Sequence, residues 1–394
     1  MRYLIPSVCA ALLVQVIVQG EASGESFSLD GASDSVVGAV RYVRAREEET
    51  LVDIAREFDL GHDQIVKANP RANRWIPGEG TEVTVPHLYI LPSAARRGLV
   101  LNIAELRLYY YPSVRKGEPR EVITYPVSIG RMDWRTPLGE TKVIKKDRDP
   151  AWRPPPSIRE EHARDGDPLP EVIPGGAPDN PLGRFALRLG IPSYLIHGVD
   201  ERKAFGIGMR VTHGCIRMYP EDITQLFDAV PVGTPVLIID QPIKIGRLGE
   251  RIFLSVYQPL DDGEGDDAPA PVGVTTGEVV EYVRRQLGDL DVQQLEEIER
   301  IAEQGDGIPR EIGRSALGLR GDGGGHIVLR TGGDKGSQRA LNEEYDAAMG
   351  RYLTTPSEHS RGRPTEIERR ESPFSYRDDQ GDDDRIRRYL EERY

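Results

Sequence analysis

The sequence predicts a mainly β fold with short helices, preceded by a small α+β module and followed by a largely disordered, partly helical tail. Segments in the middle of the chain, such as Leu99 to Tyr111 and Arg120 to Gly130, are rich in β-branched and aromatic residues and are separated by turn formers. Residues 40–86 instead show helical spacing between two short strand patterns. From Asp261 the composition becomes acidic, which is typical of a chain that cannot form a packed core.

Length and charge limit what the chain can be. A protein of 394 residues is expected to divide into two or three units rather than to form a single core. The net charge is −13, and residues 261–394 hold 19 Lys and Arg against 31 Asp and Glu, so nearly all of the excess is in the tail. The sequence has no basic stripe with interleaved aromatic residues, which argues against nucleic acid as a partner.

The start of the chain has the pattern of a cleaved secretory signal. Residues 1–22 begin with a positive charge, continue with an apolar segment and end with small residues that include Gly20 and Ala22. The alternative is a membrane anchor, but the apolar run is shorter than the about 20 residues that a span needs, and Gln15 interrupts it. The mature chain is therefore expected to be secreted and to carry no transmembrane span.

The next unit is predicted to fold in the order strand, helix, helix, strand. Leu51, Ile54, Ala55 and Phe58 recur at helical spacing. The predicted elements are a strand at 41–44, helices at 49–58 and 63–68, and a closing strand at 82–85. We expect them to form a separate module over residues 40–86.

The mainly β unit contains a long insertion. Its predicted elements are strands at 99–111, 120–130, 139–146, 234–239 and 251–256, with a short helix at 222–227. Residues 147–183 carry many prolines and no clear periodicity, and long ordered loops inside domains tend to form lids or binding walls. Trp152 in this loop is a candidate for substrate contact, with packing on its own loop as the alternative.

The tail is predicted to be a mostly disordered segment over residues 261–394. Residues 261–271 have the composition of an acidic linker, and residues 276–303 have helical composition with possible apolar faces. From Gly305 onward, glycine and charged residues dominate, so we expect mostly disorder.

One cysteine is the leading candidate for a nucleophile. Removal of the signal leaves Cys215 as the remaining cysteine, which has no partner for an internal disulfide. The attacking species of a thiol is the thiolate, so a nearby imidazole is expected to lower the pKa of this cysteine. His197 can face it from a neighbouring strand, whereas His213 is close in sequence and is expected to point away.

Two other interpretations of these residues stay open. A buried cysteine is often an inert small apolar residue. A metal site formed by His197, His213 and Cys215 is the chemical alternative, although no CxxC or HExxH spacing supports it.

His197-Gly198, a glycine-rich interval and Thr212-His-Gly-Cys-Ile-Arg217 together resemble the signature of the L,D-transpeptidase (YkuD) catalytic domain. Further pieces of the resemblance lie in family order at 99–110, 125–130, 136–139 and 180–183. The resemblance implies a YkuD-type β-sandwich over residues 98–240, with an end strand region at 241–260. It implies Cys215 as the nucleophile and His197 as the proton acceptor and donor. Pocket or oxyanion roles are implied for Gly198, Thr212, His213, Gly214 and Arg217.

Residues 40–86 resemble a LysM module, as found in the periplasmic Gram-negative type of the family. This resemblance implies that the module binds the N-acetylglucosamine-containing glycan of peptidoglycan, and that the protein works in the periplasm. The alternative is a small packing domain with no ligand. A glycan-binding module raises the local substrate concentration without supplying catalytic groups, so we expect its deletion to spare turnover of soluble tetrapeptides.

The resemblance further implies an acyl transfer that needs no cofactor and no metal. Cys215 would attack a peptidoglycan stem tetrapeptide and release D-alanine, and an amine would then take the acyl group from the thioester. The acceptor would be another stem peptide, giving a 3-3 cross-link, or an outer-membrane lipoprotein or barrel protein. The alternatives are hydrolysis of the same linkage by an L,D-carboxypeptidase and a non-catalytic cell-wall scaffold.

Overall fold

A computed structural model describes residues 24–29, 35–114, 118–130, 136–164, 166–212, 214–259 and 273–314. The predicted signal segment 1–22, His213, the predicted linker 261–271 and the end of the chain from 315 to 394 lie outside these residues. Among the described residues, no helix combines the length and the apolar character that crossing a membrane requires.

The N-terminal module has the predicted order of elements. They are β2 (Val36–Arg44), α1 (Leu51–Glu57), α2 (His62–Ala68) and β3 (Glu82–Ile90). An earlier strand, β1 (Glu25–Ser28), pairs with the main sheet of the central domain instead. Thr50 begins α1, because its hydroxyl accepts from the backbone N–H of Asp53 while the Asp53 carboxylate accepts from the backbone N–H of Thr50. The apolar positions of α1, including Leu51 and Ile54, are fully buried against Val83 and its neighbours. The module therefore has a small core of its own.

The central domain is mainly β with short helices, as predicted. It contains β4 (Gly98–Asn102), β5 (Arg107–Tyr111), β6 (Glu121–Pro126), β7 (Ile129–Gly130), β8 (Gly139–Arg148), α3 (Pro156–Arg164), β9 (Phe185–Leu189), β10 (Leu195–His197), a 3₁₀ helix (Glu201–Gly206), β11 (Arg210–Thr212), β12 (Ile216–Arg217), α4 (Pro220–Ala229) and β13 (Pro235–Ile239). Among the described strands, the main sheet has the order β1-β6-β5-β4-β13-β8-β9-β10-β12, and β11 pairs with β7.

Helix α4 packs on the face of this sheet that forms the main core. The Tyr125 hydroxyl of β6 donates to Gln225 at 2.9 Å, and the Phe185 ring of β9 lies 4.6 Å from that of Phe227. Strands β6 and β9 are five positions apart in the sheet, which would separate them by roughly 24 Å if the sheet were flat. Because both strands contact the same turn of α4, the sheet must curl around this helix.

The C-terminal region corrects two expectations. Its elements are β14 (Ile243–Leu248), β15 (Arg251–Val256), α5 (Thr276–Leu287), α6 (Val292–Gln304) and β16 (Arg310–Arg314). The strands at 243–256 were expected to complete the sheets of the central domain, but they pair with each other and with β16 in a separate three-stranded sheet. The tail was expected to be mostly disordered from residue 261 with helical composition at 276–303, but residues 273–314 form a folded unit with two helices and a strand.

The physical reason is the spacing of the apolar residues in the two helices. Val279 and Val283 of α5 and Ile298 and Ile301 of α6 are buried, and they form one core with the three strands. The acidic residues lie on the outer faces of the helices, where water solvates them. The helical pattern was visible in the sequence, whereas the packing of both helices on these strands was not.

Two carboxyl groups meet where the N-terminal module packs on α4. Asp59 follows α1 and Asp222 lies in the first turn of α4, and both side chains are buried. Each carboxyl group disfavours the negative charge of the other, and neither side-chain oxygen of Asp222 accepts a hydrogen bond from the described residues, which favours a proton on one of the two groups. Burial raises the pKa of both groups, that of Asp59 to about 7, although the nearby Arg107 opposes the shift. Glu25 and Glu221 also face Asp59 and add to the rise.

We expect this pair to make the protein less stable as pH rises. Between the ordinary Asp pKa of 3.8 and about 7, the folded protein holds a proton that the unfolded chain has lost. The free energy of unfolding should therefore fall by about 1.4 kcal/mol per pH unit for each such proton across this window. In Asp222→Asn the amide donates to Asp59, whose charge is then balanced by Arg107, so the slope should largely disappear.

Urea unfolding at pH 4 to 8 measures this slope. Asp228→Asn is the matched control, because Asp228 lies on the same helix and is exposed. An unchanged slope in Asp222→Asn would show that the carboxyl pair does not hold the proton.

Candidate active site

The sheet brings His197 and Cys215 to adjacent strands. His197 ends β10, and Cys215 directly precedes β12. The two strands are parallel, with Ile196 opposite Ile216 and His197 opposite Arg217, and the backbone N–H of Met218 donates to the His197 carbonyl oxygen at 2.9 Å. Because alternate residues of a strand face the same side, this register directs the side chains of His197, Cys215 and Arg217 to one face of the sheet.

Two threonines hold the turn that carries Cys215. The Thr212 hydroxyl accepts from the backbone N–H of Gly214 at 3.1 Å and donates to the Cys215 carbonyl oxygen at 2.6 Å. The Thr136 hydroxyl donates to the Gly214 carbonyl oxygen at 3.1 Å and accepts from the Gly130 N–H at 3.2 Å. Gly214 has a φ of +100°, which L side chains rarely adopt. The turn is therefore fixed from both sides, and only glycine suits its centre.

The His197 imidazole is buried and neutral. Its Nδ1 lies 2.6 Å from the carbonyl oxygen of Gly198, and because a carbonyl oxygen only accepts, Nδ1 carries the proton and Nε2 the lone pair. Burial, which is the larger cause, and the positive charge of Arg217 together lower the pKa of His197 to about 3. Backbone hydrogen bonds with Gly198 and Leu182 oppose this shift. At neutral pH the ring is therefore uncharged, and this low pKa makes it a weak proton acceptor in the resting site.

The Cys215 thiol is protonated in the resting site. It is partly buried, and Sγ lies 3.7 Å from the carbonyl oxygen of Ser193, which can only accept. Burial raises the pKa of the thiol, while a backbone hydrogen bond with Leu195 and the charge of Arg217 act in the opposite direction. The sequence suggested a cysteine whose pKa is lowered by an imidazole. The structure instead has a neutral thiol beside a neutral imidazole, because both are withdrawn from water.

Two of the other predicted pocket residues have clear structural constraints. A Cβ added to Gly198 would lie 2.9 Å from Cγ2 of Ile223 in α4, so this position has no room for a side chain. Arg217 is held by a pair of backbone hydrogen bonds to Ser128, each 2.9 Å long. His213 lies outside the described residues, so its predicted role stays a prediction.

The insertion at 147–183 is partly ordered and reaches the site at its end. It contains α3, and the backbones of Trp152 and Ile173 exchange two hydrogen bonds of 2.9 Å that close the loop. The buried Asn180 amide donates to Pro150 and Pro174 carbonyl oxygens at 2.8 and 2.9 Å. Through Leu182 this ordered loop contacts the His197 ring.

Sequence reasoning did not assign Thr136, Ser193 or Leu195 to the site. Thr136 belongs to one of the segments that carry the resemblance, which was the available signal. Ser193 and Leu195 contact Cys215 through their backbone atoms, so the types of their side chains do not indicate a place in the site. Among the described residues, no group of three or more His, Cys, Asp or Glu side chains is arranged to hold a metal ion.

The chain is similar to known proteins over its central domain and beyond it. Residues 96–238 match the L,D-transpeptidase catalytic domain family YkuD. The probable L,D-transpeptidase YbiS of Escherichia coli K12 is 37% identical over 301 residues, which cover 75% of this chain and 94% of that protein. The probable L,D-transpeptidase ErfK/SrfK of the same strain is 40% identical over 232 residues, covering 58% of this chain and 72% of that protein.

A third relative extends over a similar length. The probable L,D-transpeptidase YcfS of Escherichia coli K12 is 35% identical over 300 residues, covering 74% of this chain and 90% of that protein. Both long matches include far more of the chain than the catalytic domain alone. The chain therefore belongs to the L,D-transpeptidase family of enzymes.

Proposed function

We propose that the enzyme transfers an acyl group from a peptidoglycan stem tetrapeptide to an amine through a thioester on Cys215, with release of D-alanine. The observation that supports this most is the state of the histidine. His197 is neutral, and Gly198 fixes its proton on Nδ1, so the remaining lone pair is on Nε2. The His197 side chain lies on the same face of the sheet as the Cys215 thiol. General-base activation of a thiol needs a free lone pair of this kind on the same face of the sheet as the sulfur.

In the first half of the reaction, His197 Nε2 takes the thiol proton as Sγ attacks the carbonyl carbon before the terminal D-alanine. The carbon becomes tetrahedral and its oxygen negative. The C–N bond then breaks, and the imidazolium gives its proton to the leaving amine of D-alanine. A thioester remains on Cys215, and it retains enough energy for transfer without a further energy source.

Arg217 influences the timing of this proton transfer. Its positive charge favours the thiolate and disfavours the imidazolium. Arg217 therefore does not stabilise the thiolate–imidazolium pair as a whole, and burial disfavours the charged form of both groups. An ion pair between Cys215 and His197 is thus not the resting form. We therefore assign proton transfer and attack to the same step, in which negative charge moves from sulfur to the carbonyl oxygen.

The oxyanion needs a hydrogen-bond donor, and the backbone N–H of Cys215 is better suited to this role than that of Gly214. The Gly214 N–H already donates to Thr212 at 3.1 Å. The N–H of the nucleophile itself lies next to the forming bond by covalent geometry, so we assign the oxyanion contact to the backbone of Cys215.

In the second half an amine attacks the carbonyl carbon of the thioester and His197 removes its proton. The C–S bond then breaks, and the imidazolium returns the proton to the sulfur of Cys215. We propose as acceptor either a second stem peptide, which gives a 3-3 cross-link, or a lysine of an outer-membrane lipoprotein or barrel protein. Because peptidoglycan is the substrate, the periplasm is the proposed site of action, and the predicted signal at residues 1–22 would deliver the enzyme there.

We further propose that residues 40–86 are a LysM module that binds the peptidoglycan glycan. The support is its βααβ order, with β2 and β3 paired antiparallel along nine residues each and both helices packed on them. This module would hold the enzyme on its polymeric substrate.

Incubation with purified sacculi and with soluble tetrapeptide muropeptides tests the proposal. We expect free D-alanine, a protein mass increased by one acyl group on Cys215, and new linkages to an amine. Tripeptides alone would indicate hydrolysis instead of transfer, and turnover without an adduct at Cys215 would contradict the thioester. Pelleting of the protein with the sacculi reports the glycan binding in the same samples.

A further inference from the structure

The N-terminal module packs on the segment that connects His197 to Cys215. The backbone N–H of His62 donates to the Ile207 carbonyl oxygen at 2.8 Å, and that of Asp63 donates to the Gly208 carbonyl oxygen at 3.3 Å. These bonds come from the start of α2, where backbone N–H groups have no partner within the helix. The connecting segment thus supplies the hydrogen-bond acceptors that the N-terminal end of α2 needs.

Arg56 of α1 adds one charged contact within this segment and one with α4, which follows it. Its guanidinium forms ion pairs with Glu201 at 2.8 Å, in the 3₁₀ helix, and with Glu221 at 2.8 Å, in α4. It also lies 5.6 Å from the ring centre of Tyr219, whose hydroxyl donates to the Leu60 carbonyl oxygen at 3.1 Å. One arginine of the module therefore joins the parts of the chain before and after Cys215.

The backbones approach most closely at two glycines. A Cβ added to Gly61 would lie 2.7 Å from Cα of Gly208, which is closer than real Cβ atoms come to other atoms. Both glycines are buried. No side chain separates the module from the catalytic segment here, so a displacement of one backbone is transmitted directly to the other.

A short chain of hydrogen bonds leads from this contact to the reacting groups. The Ser128 hydroxyl donates to the Gly206 carbonyl oxygen at 2.6 Å. The Ser128 backbone exchanges two hydrogen bonds of 2.9 Å with Arg217. Arg217 in turn acts electrostatically on both His197 and Cys215. A shift of the segment 206–208 would therefore move Ser128 and Arg217, and with Arg217 the positive charge that acts on His197 and Cys215.

We infer that the N-terminal module is a positioning element of the active site, with Gly61 and Arg56 as positioning residues that act through the segment 201–208 on Arg217 and Cys215. The inference rests on the proposed role of Cys215 as nucleophile. It differs from the sequence-based expectation that deleting residues 40–86 spares turnover of soluble tetrapeptides. A module that only captured glycan would need no backbone contact with the catalytic segment.

The test inserts one methyl group at this contact in the full-length enzyme. Gly61 has φ −85° and ψ 158°, values that any residue adopts, so Gly61→Ala does not strain its own module. Its methyl group must displace Gly208. Because a misplacement of about 1 Å can cost about 100-fold in rate, we expect kcat for a soluble tetrapeptide to fall by about 10- to 100-fold, with a smaller change in KM.

A second measurement does not depend on transpeptidation. The rate of Cys215 alkylation by iodoacetamide, followed against pH, reports the pKa of the thiol. We expect the midpoint to rise in Gly61→Ala, because Arg217 no longer favours the thiolate as strongly. Wild-type enzyme that alkylates normally but forms no thioester would contradict the proposed function and leave the positioning test intact.

Gly277→Ala in α5 is the matched control, because a Cβ at Gly277 meets no atom within 4 Å. It should match wild type in both measurements. Arg56→Gln is a second variant without added volume, and we expect a 2- to 5-fold loss in kcat, about the size that partly exposed ion pairs support. Arg46→Gln, which breaks an ion pair of 3.4 Å to Glu57 inside the module, is its control.

The outcomes are distinct. Lower kcat and a shifted alkylation midpoint in Gly61→Ala and Arg56→Gln, but not in the two controls, support the inference. If both interface variants keep the wild-type kcat and alkylation profile, the module does not position the site. A Gly61→Ala protein that fails to fold leaves Arg56→Gln to decide between these results.

Discussion

Cys215→Ala should lower D-alanine release and acyl transfer by at least about 10⁴-fold, because no other group in the turn can form the thioester. The turn itself should persist. The hydrogen bonds that fix it join Thr212, Thr136 and Gly214 to backbone atoms and do not involve the sulfur. We therefore expect the free energy of unfolding to change by less than about 1 kcal/mol, measured by urea denaturation beside the activity assay.

A comparison of three variants separates loss of chemistry from loss of structure. His197→Ala should be nearly as damaging to activity as Cys215→Ala, since the thiol then has no base. Thr212→Val keeps the thiol but removes both hydrogen bonds of the Thr212 hydroxyl, so it should lose activity and stability together. Cross-link formation by purified Cys215→Ala would show that the proposed thioester mechanism is wrong.

The placement of His197 and Cys215 on adjacent strands was predictable because the pattern that indicates it is local. His197 ends an apolar strand pattern, and the spacing to Cys215 marks the motif. The protonation state of the pair was not predictable. It arises from burial by distant parts of the chain and from Arg217, whose position depends on Ser128. Sequence patterns describe neighbours along the chain, whereas a pKa reports neighbours in space.

The C-terminal region was predicted less well for a related reason. Acidic composition suggested disorder, although the apolar spacing of Val279, Val283, Ile298 and Ile301 was visible in the sequence. What was missing was a surface for those residues to cover. Strands β14 and β15 supply it, and they had been assigned to the central domain because strand patterns do not name their partners.

The contact between Gly61 and Gly208 was also beyond sequence reasoning. Each glycine has a local explanation, one at a helix start and one with a φ of +90° in a turn. Only the fold shows that they face each other. The sequence predicts many of the helices and strands of this protein but not how its units pack, because interfaces between units carry no period along the chain.

One such interface contains a fully buried ion pair, and breaking it should have the largest effect on stability. Lys244 of β14 lies 2.7 Å from Glu105 in the turn between β4 and β5, and each side chain is about 1% exposed. Lys244 also donates to the Ile90 carbonyl oxygen at the end of β3. The Glu105 carboxylate accepts from the Tyr109 hydroxyl at 2.9 Å and from the Asn102 amide at 2.7 Å. The pair thus joins all three folded parts of the chain.

Lys244→Met should cost about 3–5 kcal/mol of unfolding free energy, because it leaves the Glu105 carboxylate buried without a cation. Glu105→Gln should cost a similar amount, since burial already lowers the pKa of Lys244 and Glu105 is the main group that opposes this shift. The double variant should be less destabilised than the sum of the two, because neither charge is then left alone. Urea unfolding of the four proteins gives the coupling energy directly.

Arg251 and Glu311 provide the comparison within the same C-terminal sheet. They pair at 2.7 Å between β15 and β16, with side chains 38% and 31% exposed. Water screens this pair, so Arg251→Met should cost less than about 1 kcal/mol. If Lys244→Met is no more destabilising than Arg251→Met, water must reach Glu105 when the lysine is removed, and the three parts would then be held together mainly by apolar contacts such as that of Phe253 with Val36 and Ile90.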